Sequence, residues 1–331
     1  MNSQLPPTIE SLPEAADRGP SGSLLPLLKL CRLSNVFTSV ADILLGFFLA
    51  RGDAQPLPGL IALAIASAML YTAGMVLNDV FDIEIDRVER PTRPLPSGAV
   101  SLDFAKRFGA GLLVLGCLLA WVVGIAYQAE TISMLRSGGV ATLLAGMILL
   151  YNAWLKHTFA GPFAMGACRT LNILLGMSLA PAVSEPVVMG YPAVWLLLAI
   201  AYGLYIAGVT WFSRQEAVES SRWQLTIGLL LMLSGVAGVV YQALALPGQR
   251  IPAQMFMLLM SCLGVSILLR GVRAIADPQP STVQPVIKQA ILSLIMFHAA
   301  VVLTVLTPGY SLAIVALMLP TLALQRFIYS T

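Results

Sequence analysis

Ten apolar stretches of membrane-spanning length run through this chain, and few folds other than a helical bundle in a bilayer can accommodate them. They lie at residues 24–50, 57–79, 104–127, 134–154, 162–183, 190–212, 224–245, 252–272, 286–307 and 310–326. About 20 apolar residues in a helix cross the hydrocarbon core, and in lipid only helices and closed barrels satisfy every backbone polar group. Charged residues make up 11% of the chain, against about 25% in a soluble domain. The expected fold class is all-α: a polytopic membrane helical bundle of nine or ten transmembrane helices. The last stretch is the weakest, being short and interrupted by Pro320.

Residues 1–22 are of another kind, rich in Pro, Ser, Glu and Gly. They read as a disordered cytoplasmic tail, with residues 23–331 forming one transmembrane domain. No basic-then-apolar leader with a cleavage site precedes Leu24, so the first span is expected to be retained and to direct insertion. Lys and Arg placement sets the orientation. With the N-terminus inside, fourteen cations fall on the inner side: Lys29, Arg32, Arg87, Arg90, Arg93, Lys106, Arg107, Lys156, Arg214, Arg222, Arg270, Arg273, Lys288 and Arg326. Only Arg51, Arg136 and Arg250 fall on the other. The expected location is a bacterial plasma membrane. The net charge of +3 is too small and too dispersed for a nucleic-acid partner. Cys31, Cys117, Cys168 and Cys262 lack metal-ligand spacing and read as small core hydrophobes.

The chemistry is concentrated after the second stretch, in Asn78-Asp79-Val80-Phe81-Asp82-Ile83-Glu84-Ile85-Asp86. A helix continuing through residue 86 places Asp82 about 60° and Asp86 about 20° from Asp79 in projection, with Arg90 about 20° to the other side. Carboxylates at a membrane surface mark function, and grouped oxygen ligands beside an arginine suit Mg²⁺ bridging to a phosphate. Pro91 is expected to end this helix, and Pro94 and Pro96 to stiffen the loop that carries Arg90 and Arg93.

The combined N-D-x-x-D-x-x-x-D and R-P-x-R-P-L-P-x-G, carried by Asn78, Asp79, Asp82, Asp86, Arg90, Pro91, Arg93, Pro94, Leu95, Pro96 and Gly98, resembles the UbiA superfamily of intramembrane prenyltransferases. The resemblance implies a bundle around a central cavity in which Mg²⁺ holds an isoprenyl diphosphate. It makes Asn78, Asp79, Asp82 and Asp86 metal or diphosphate ligands. Tyr151-Asn152-Ala153-Trp154-Leu155-Lys156 is similar to the family's Y-x-x-x-L-K stretch, which puts Lys156 near the diphosphate.

The chain departs from the family at its second acidic motif, usually D-x-x-x-D. Residues 210–221 contain no aspartate. Gln215 and Glu219 stand at the two motif positions with Glu216 between them, and Arg214 stands where basic residues approach the diphosphate. Two roles are open: Glu216 and Glu219 hold a second metal, or Arg214 neutralises diphosphate in its place. V-T-W-F-S-R-Q-E-A and R-L-S-N-V-F-T-S-V-A-D are similar to the EboC branch of the superfamily, associated with secondary metabolism.

Asn35, Asp42, Arg169, Asn172 and His298 lie inside apolar stretches. Asn35, Tyr151 and Asn172 are expected cavity or acceptor contacts. Asp42 and Arg169 have two readings, a helix-locking ion pair or an acceptor contact, and His298 reads as a packed, hydrogen-bonded group. Gly109/Gly111, Gly138/Gly139, Gly161/Gly166 and Gly235/Gly238 are expected to allow close helix approach.

The leading functional expectation is Mg²⁺-dependent transfer of an isoprenyl group from a diphosphate to a lipophilic acceptor, with Asp79, Asp82 and Asp86 on the metal. Glu216 and Glu219 assist them, and Arg90, Arg93, Lys156 and Arg214 neutralise the leaving diphosphate. The alternatives are a catalytically weakened carrier of a prenylated metabolite and, through the intramembrane polar groups, a secondary transporter.

Overall fold

A computed structural model describes residues 24–128, 131–181, 187–188, 190–216 and 218–329; the tail expected at 1–22 lies outside the described residues. The helices are α1 (Leu25–Leu30), α2 (Leu33–Arg51), α3 (Leu57–Phe81), α4 (Ile83–Glu89), α5 (Leu102–Tyr127), α6 (Thr131–Ala153) and α7 (Gly161–Gly176), then α8 (Ala193–Phe212), α9 (Arg222–Leu244), α10 (Ala253–Ala276), α11 (Pro280–Val305), α12 (Pro308–Ala316) and α13 (Met318–Tyr329). The only strands among the described residues form a two-residue antiparallel ladder, Val187–Val188 against Tyr191–Pro192.

Nine helical segments among the described residues are long and apolar enough to cross a membrane, and the chain is an integral, multi-pass membrane protein. The one expected span missing from these nine, at 162–183, is α7 with 16 residues. At 1.5 Å per residue its α-helical part covers about 24 Å of the ~30 Å core. A 3-10 turn at Met177–Leu179 continues it. At the other end of the chain, Pro320 has no N–H to offer the carbonyl of Ala316, and α12 stops there. The segment Pro308–Arg326 is the most peripheral, 17% buried against 67% for α2 and α11.

The short α7 is enclosed by α2, α6 and α8, and glycine makes this possible. A Cβ on Gly176 would lie 2.6 Å from the Ile43 carbonyl oxygen, and one on Gly46 would collide with the Ile173 carbonyl, so α2 and α7 cross backbone to backbone. Gly166 meets Gly203 of α8 in the same way. Of the expected close-approach glycines, Gly111 and Gly139 face open space and serve no contact. Leu115, Leu118, Val122 and Ile125 point outward from α5, a surface that only lipid would cover. Cys262 is also exposed, whereas Cys31 is buried as expected.

Two sets of charged groups mark opposite ends of the bundle. At one end Arg51 donates to the Leu179 carbonyl (3.5 Å), Arg136 to those of Ala180 (2.9 Å) and Gly190 (2.8 Å), and Arg250 to that of Val305 (3.0 Å). Three cations thereby satisfy carbonyls left open where helices and turns end. The acidic motif occupies the opposite end.

Candidate functional site

The helix expected to run through residue 86 is interrupted at Asp82. α3 ends at Phe81, Asp82 takes φ −91° and ψ 4°, and α4 begins at Ile83. Bonds from the Asp82 amide to the Asn78 carbonyl (3.0 Å) and from the Asp86 amide to the Asp82 carbonyl (2.8 Å) carry the ladder through, so the break is a bend. At the bend the Asp82 carboxylate meets Lys156 Nζ at 2.6 Å, with His157 Nε2 at 3.9 Å. Lys156 comes from the turn between α6 and α7, and its side chain is only 8% exposed. The lysine from the Y-x-x-x-L-K stretch thus stands beside the first acidic motif.

The other two carboxylates are also held by cations. Asp79 is buried, with Arg32 at 3.2 Å and Arg93 at 3.6 Å on the same oxygen, and Asn78 Nδ2 at 3.5 Å. Asp86 is buried against Arg93 at 2.7 Å. Arg93 is placed by the proline-rich loop, where α4 stops at Glu89 and Arg90 (φ −144°, ψ 58°) leaves helical geometry before Pro91. Leu95 plugs into a small apolar cluster with Leu30, Cys31, Val76 and Ala105, and Gly98 (φ 74°) closes the turn. The loop is therefore anchored as well as stiff.

Arg32 was not singled out from the sequence beyond its contribution to orientation. It joins α1 to α2 with φ 45°, a left-handed conformation rare for a non-glycine residue, and its guanidinium reaches 47 residues along the chain to Asp79. A basic residue just before the first span was the available signal; the turn that aims it has no sequence signature.

The second loop is arranged differently from the expectation. Gln215 is exposed and its side-chain oxygen accepts from the Ser221 amide at 3.1 Å, so it fastens its own loop. Glu219 is exposed. Arg214 donates to the Thr158 carbonyl and lies 4.8 Å over the Trp211 ring, tying this loop to the turn that carries Lys156. Glu216 is half-buried, and burial raises its pKa while Arg90, Arg32, Arg93 and Lys288 pull it down. It is thus Glu216, between the two motif positions, that shares the field of the first motif's arginines.

Immediately inside the bundle lies a cavity of about 90 Å³ between α2, α3, α6, α7 and α8, lined by Tyr151, Asn152, Asp42, Arg169 and Asn172 among mostly apolar groups. Asn35 is half-buried and is not part of its wall. At the deep end Arg169 pairs with Asp42 at 2.5 Å and donates to the Thr38 carbonyl at 3.1 Å. Asn172 donates to Asp42 Oδ2 (2.8 Å) and the Ser39 carbonyl (3.0 Å) and accepts from Ser67 (2.7 Å). His298 Nε2 lies 3.3 Å from Asp42 Oδ1. Neither ring nitrogen of His298 has a hydrogen-bond partner, so it is buried and packed as expected but not hydrogen-bonded. Asp42, Arg169 and Asn172 are committed to one another, which favours the helix-locking reading of Asp42 and Arg169.

The family model described as the UbiA prenyltransferase family matches residues 39–287. The digeranylgeranylglyceryl phosphate synthase of Ignicoccus hospitalis is 35% identical over 166 residues, covering 49% of this chain and 49% of that protein. The chain spans about half the length of the curated relatives it matches. A solved digeranylgeranylglyceryl phosphate synthase structure is similar with a TM-score of 0.59 at 20% identity, covering 88% of this chain and 99% of that one. A UbiA homolog from Archaeoglobus fulgidus bound to GPP and Mg²⁺ is similar with a TM-score of 0.57 at 13% identity, over 88% and 99% of the two chains. At such identities the structures speak for the fold.

Proposed function

This chain belongs to the UbiA prenyltransferase family, and from that premise we propose that it transfers an isoprenyl group from a polyprenyl diphosphate to a lipophilic acceptor inside the membrane, with Mg²⁺. One observation carries the reading: Asp79, Asp82 and Asp86 are each charge-paired with Arg32, Arg93 or Lys156, directly above an apolar cavity. An arriving diphosphate offers these cations a better-matched anion. Its prenyl chain then has an apolar space to enter.

The donor set fits Mg²⁺ shared with a substrate. Among the described residues no three His, Cys, Asp or Glu side chains converge, so a cage built wholly from protein is absent. Mg²⁺ is ordinarily held by one or two carboxylates together with substrate phosphates, and Asp79, Asp82, Asp86, the Asn78 amide oxygen and Glu216 are all oxygen donors. Bound there, the metal supplies charge neutralisation for the departing diphosphate. Arg32, Arg93 and Lys156, released from the carboxylates, hold the diphosphate from the other side as its charge develops. The cavity keeps water from the allylic cation.

The relatives' name supports an acceptor of the glyceryl phosphate class. The 14-to-3 distribution of cations supports a cytoplasmic site. The stretches at 32–42 and 209–217 are the support for the EboC branch. Gln215, occupied by its own loop, favours a second reading, a carrier that binds prenyl diphosphate without turning it over.

The deciding experiment offers purified protein in detergent geranyl, farnesyl and geranylgeranyl diphosphates with a glyceryl phosphate monoether as acceptor, with and without Mg²⁺. The transferase reading expects Mg²⁺-dependent diphosphate release coupled to ether formation. Mg²⁺-dependent binding with no release would leave the carrier. Within the second loop, Glu216→Gln should lower turnover by about 10- to 100-fold, while Glu219→Gln leaves it unchanged. The reverse order in steady-state rates would return the metal role to the motif position.

A further inference from the structure

Most polar side chains on the cavity wall are engaged within the protein, and two leave a buried oxygen without a hydrogen-bond partner: Asp42 Oδ1, which lies against His298 at the deep end, and Asn152 Oδ1. Ser39 donates to the Val36 carbonyl, Ser67 to Asn172 Oδ1, and Asn172 and Arg169 to Asp42. Asn152 is only half satisfied. It is 3% exposed, and its Nδ2 donates to the Gly74 carbonyl at 3.1 Å. Because that partner is a carbonyl, the contact fixes which end of the amide is nitrogen. The remaining Oδ1 is buried and has no hydrogen-bond partner. An unmet buried acceptor is costly, and more so where no water can reach it.

Its position is informative. Gly74 precedes Asn78 by one helical turn on α3, so the amide of Asn152 sits about 6 Å inward of the acidic motif. A diphosphate held by Lys156, Arg32 and Arg93 would present its reacting carbon toward this level of the cavity.

Resting on the transferase reading, we propose that Asn152 is a specificity residue: its Oδ1 accepts a hydrogen bond from the nucleophilic hydroxyl of the acceptor and holds that oxygen beneath the diphosphate. An amide oxygen only accepts, so it rewards a donor on the nucleophilic atom and offers nothing to a bare carbon nucleophile. With a hydroxyl as that donor the acceptor is an alcohol and the product an ether. In the step, the acceptor oxygen bonds to the allylic carbon as that carbon's bond to diphosphate breaks. The electron pair leaves with the diphosphate. The hydroxyl proton passes to a diphosphate oxygen, since an amide cannot keep it.

The test uses the full chain in detergent with two probes, a glyceryl phosphate monoether bearing a free hydroxyl and the same molecule O-methylated. Equilibrium binding is measured without diphosphate. Wild type should bind the hydroxyl probe about tenfold more tightly than its methyl ether, and Asn152→Leu should bind the two alike. In turnover, Asn152→Leu should raise the acceptor KM by about 10- to 100-fold. Asn152→Gln, which keeps both an acceptor oxygen and a donor for the Gly74 carbonyl, should retain more of the acceptor affinity than Asn152→Leu. Equal binding of the two probes to wild type overturns the proposal, and so does an unchanged KM in the leucine variant. Probe discrimination without any turnover would overturn the transferase reading and leave Asn152 as the hydroxyl-binding group of a carrier.

Discussion

Asp82→Asn should reduce Mg²⁺-dependent diphosphate release by about 10²- to 10³-fold, the size of effect seen when one preorganised electrostatic group is removed from a reacting centre. Asparagine keeps the shape of the side chain at the bend between α3 and α4 and removes only its charge. Alanine is a worse probe, for a reason visible in the structure. Lys156 is 8% exposed and paired with Asp82 at 2.6 Å, so truncating Asp82 strands an ammonium with little water around it. Breaking a buried pair of this kind costs about 3–5 kcal/mol at full burial; Asp82 is 19% exposed, so the lower end applies. Asp82→Ala should therefore lose activity and lower the unfolding midpoint in detergent together. Asp82→Ala/Lys156→Met should recover the midpoint without recovering release. If the double variant regained both, Asp82 would be a structural partner of Lys156 and not a group that handles diphosphate. If Asp82→Asn kept more than about a tenth of the rate, the electrostatic role would fail outright.

The outcome turns on a feature that was only half legible in the sequence. Residue spacing on an ideal helix brought Asp79, Asp82, Asp86 and Arg90 to one face, and the structure does gather the three carboxylates at one end of the bundle. It could not place the bend at Asp82, because the lysine that meets Asp82 there comes from a turn some 70 residues downstream. Arg32 was invisible for a similar reason. A left-handed residue between two helices is a local conformation, and its sequence, Cys-Arg-Leu, carries no glycine or asparagine to announce it. The second loop shows the opposite failure. Counting four residues from Gln215 to Glu219 assumed helical register, yet α8 ends at Phe212 and the chain beyond it turns, and it is the intermediate Glu216 whose charge Arg90, Arg32 and Arg93 favour. Hydropathy did well for the long spans and overestimated the helical length of α7, whose 16 residues give way to a 3-10 turn before the segment reaches Ala180 at the far end. What the sequence states well is period and composition; what it hides is which distant backbone a side chain will find.

Arg169→Met should be the most destabilising substitution of those considered, by about 3–5 kcal/mol. Asp42 has 1% of its side chain exposed, and Arg169 supplies its 2.5 Å partner from α7. Methionine fills much of the arginine's volume but leaves a carboxylate in the middle of the bundle with Asn172 and His298 as its remaining neighbours. Asp42→Asn/Arg169→Met should be far milder, because the buried charge is gone along with its partner. The asymmetry between single and double variants separates an ion pair that locks α2 to α7 from one that contacts the acceptor. A locking pair gives a coupling of at least about 1–3 kcal/mol in a double-mutant cycle read from unfolding midpoints, with acceptor KM in the double variant near wild type. An acceptor contact gives the reverse: small losses in midpoint for Arg169→Met and a KM defect that the second substitution does not repair. The backbone crossing at Gly46 and Gly176 lies one turn beyond Asp42 on α2 and about two turns beyond Arg169 on α7. At that depth neither helix has room to shift and let water reach a stranded Asp42, so the first pattern is the one the packing requires.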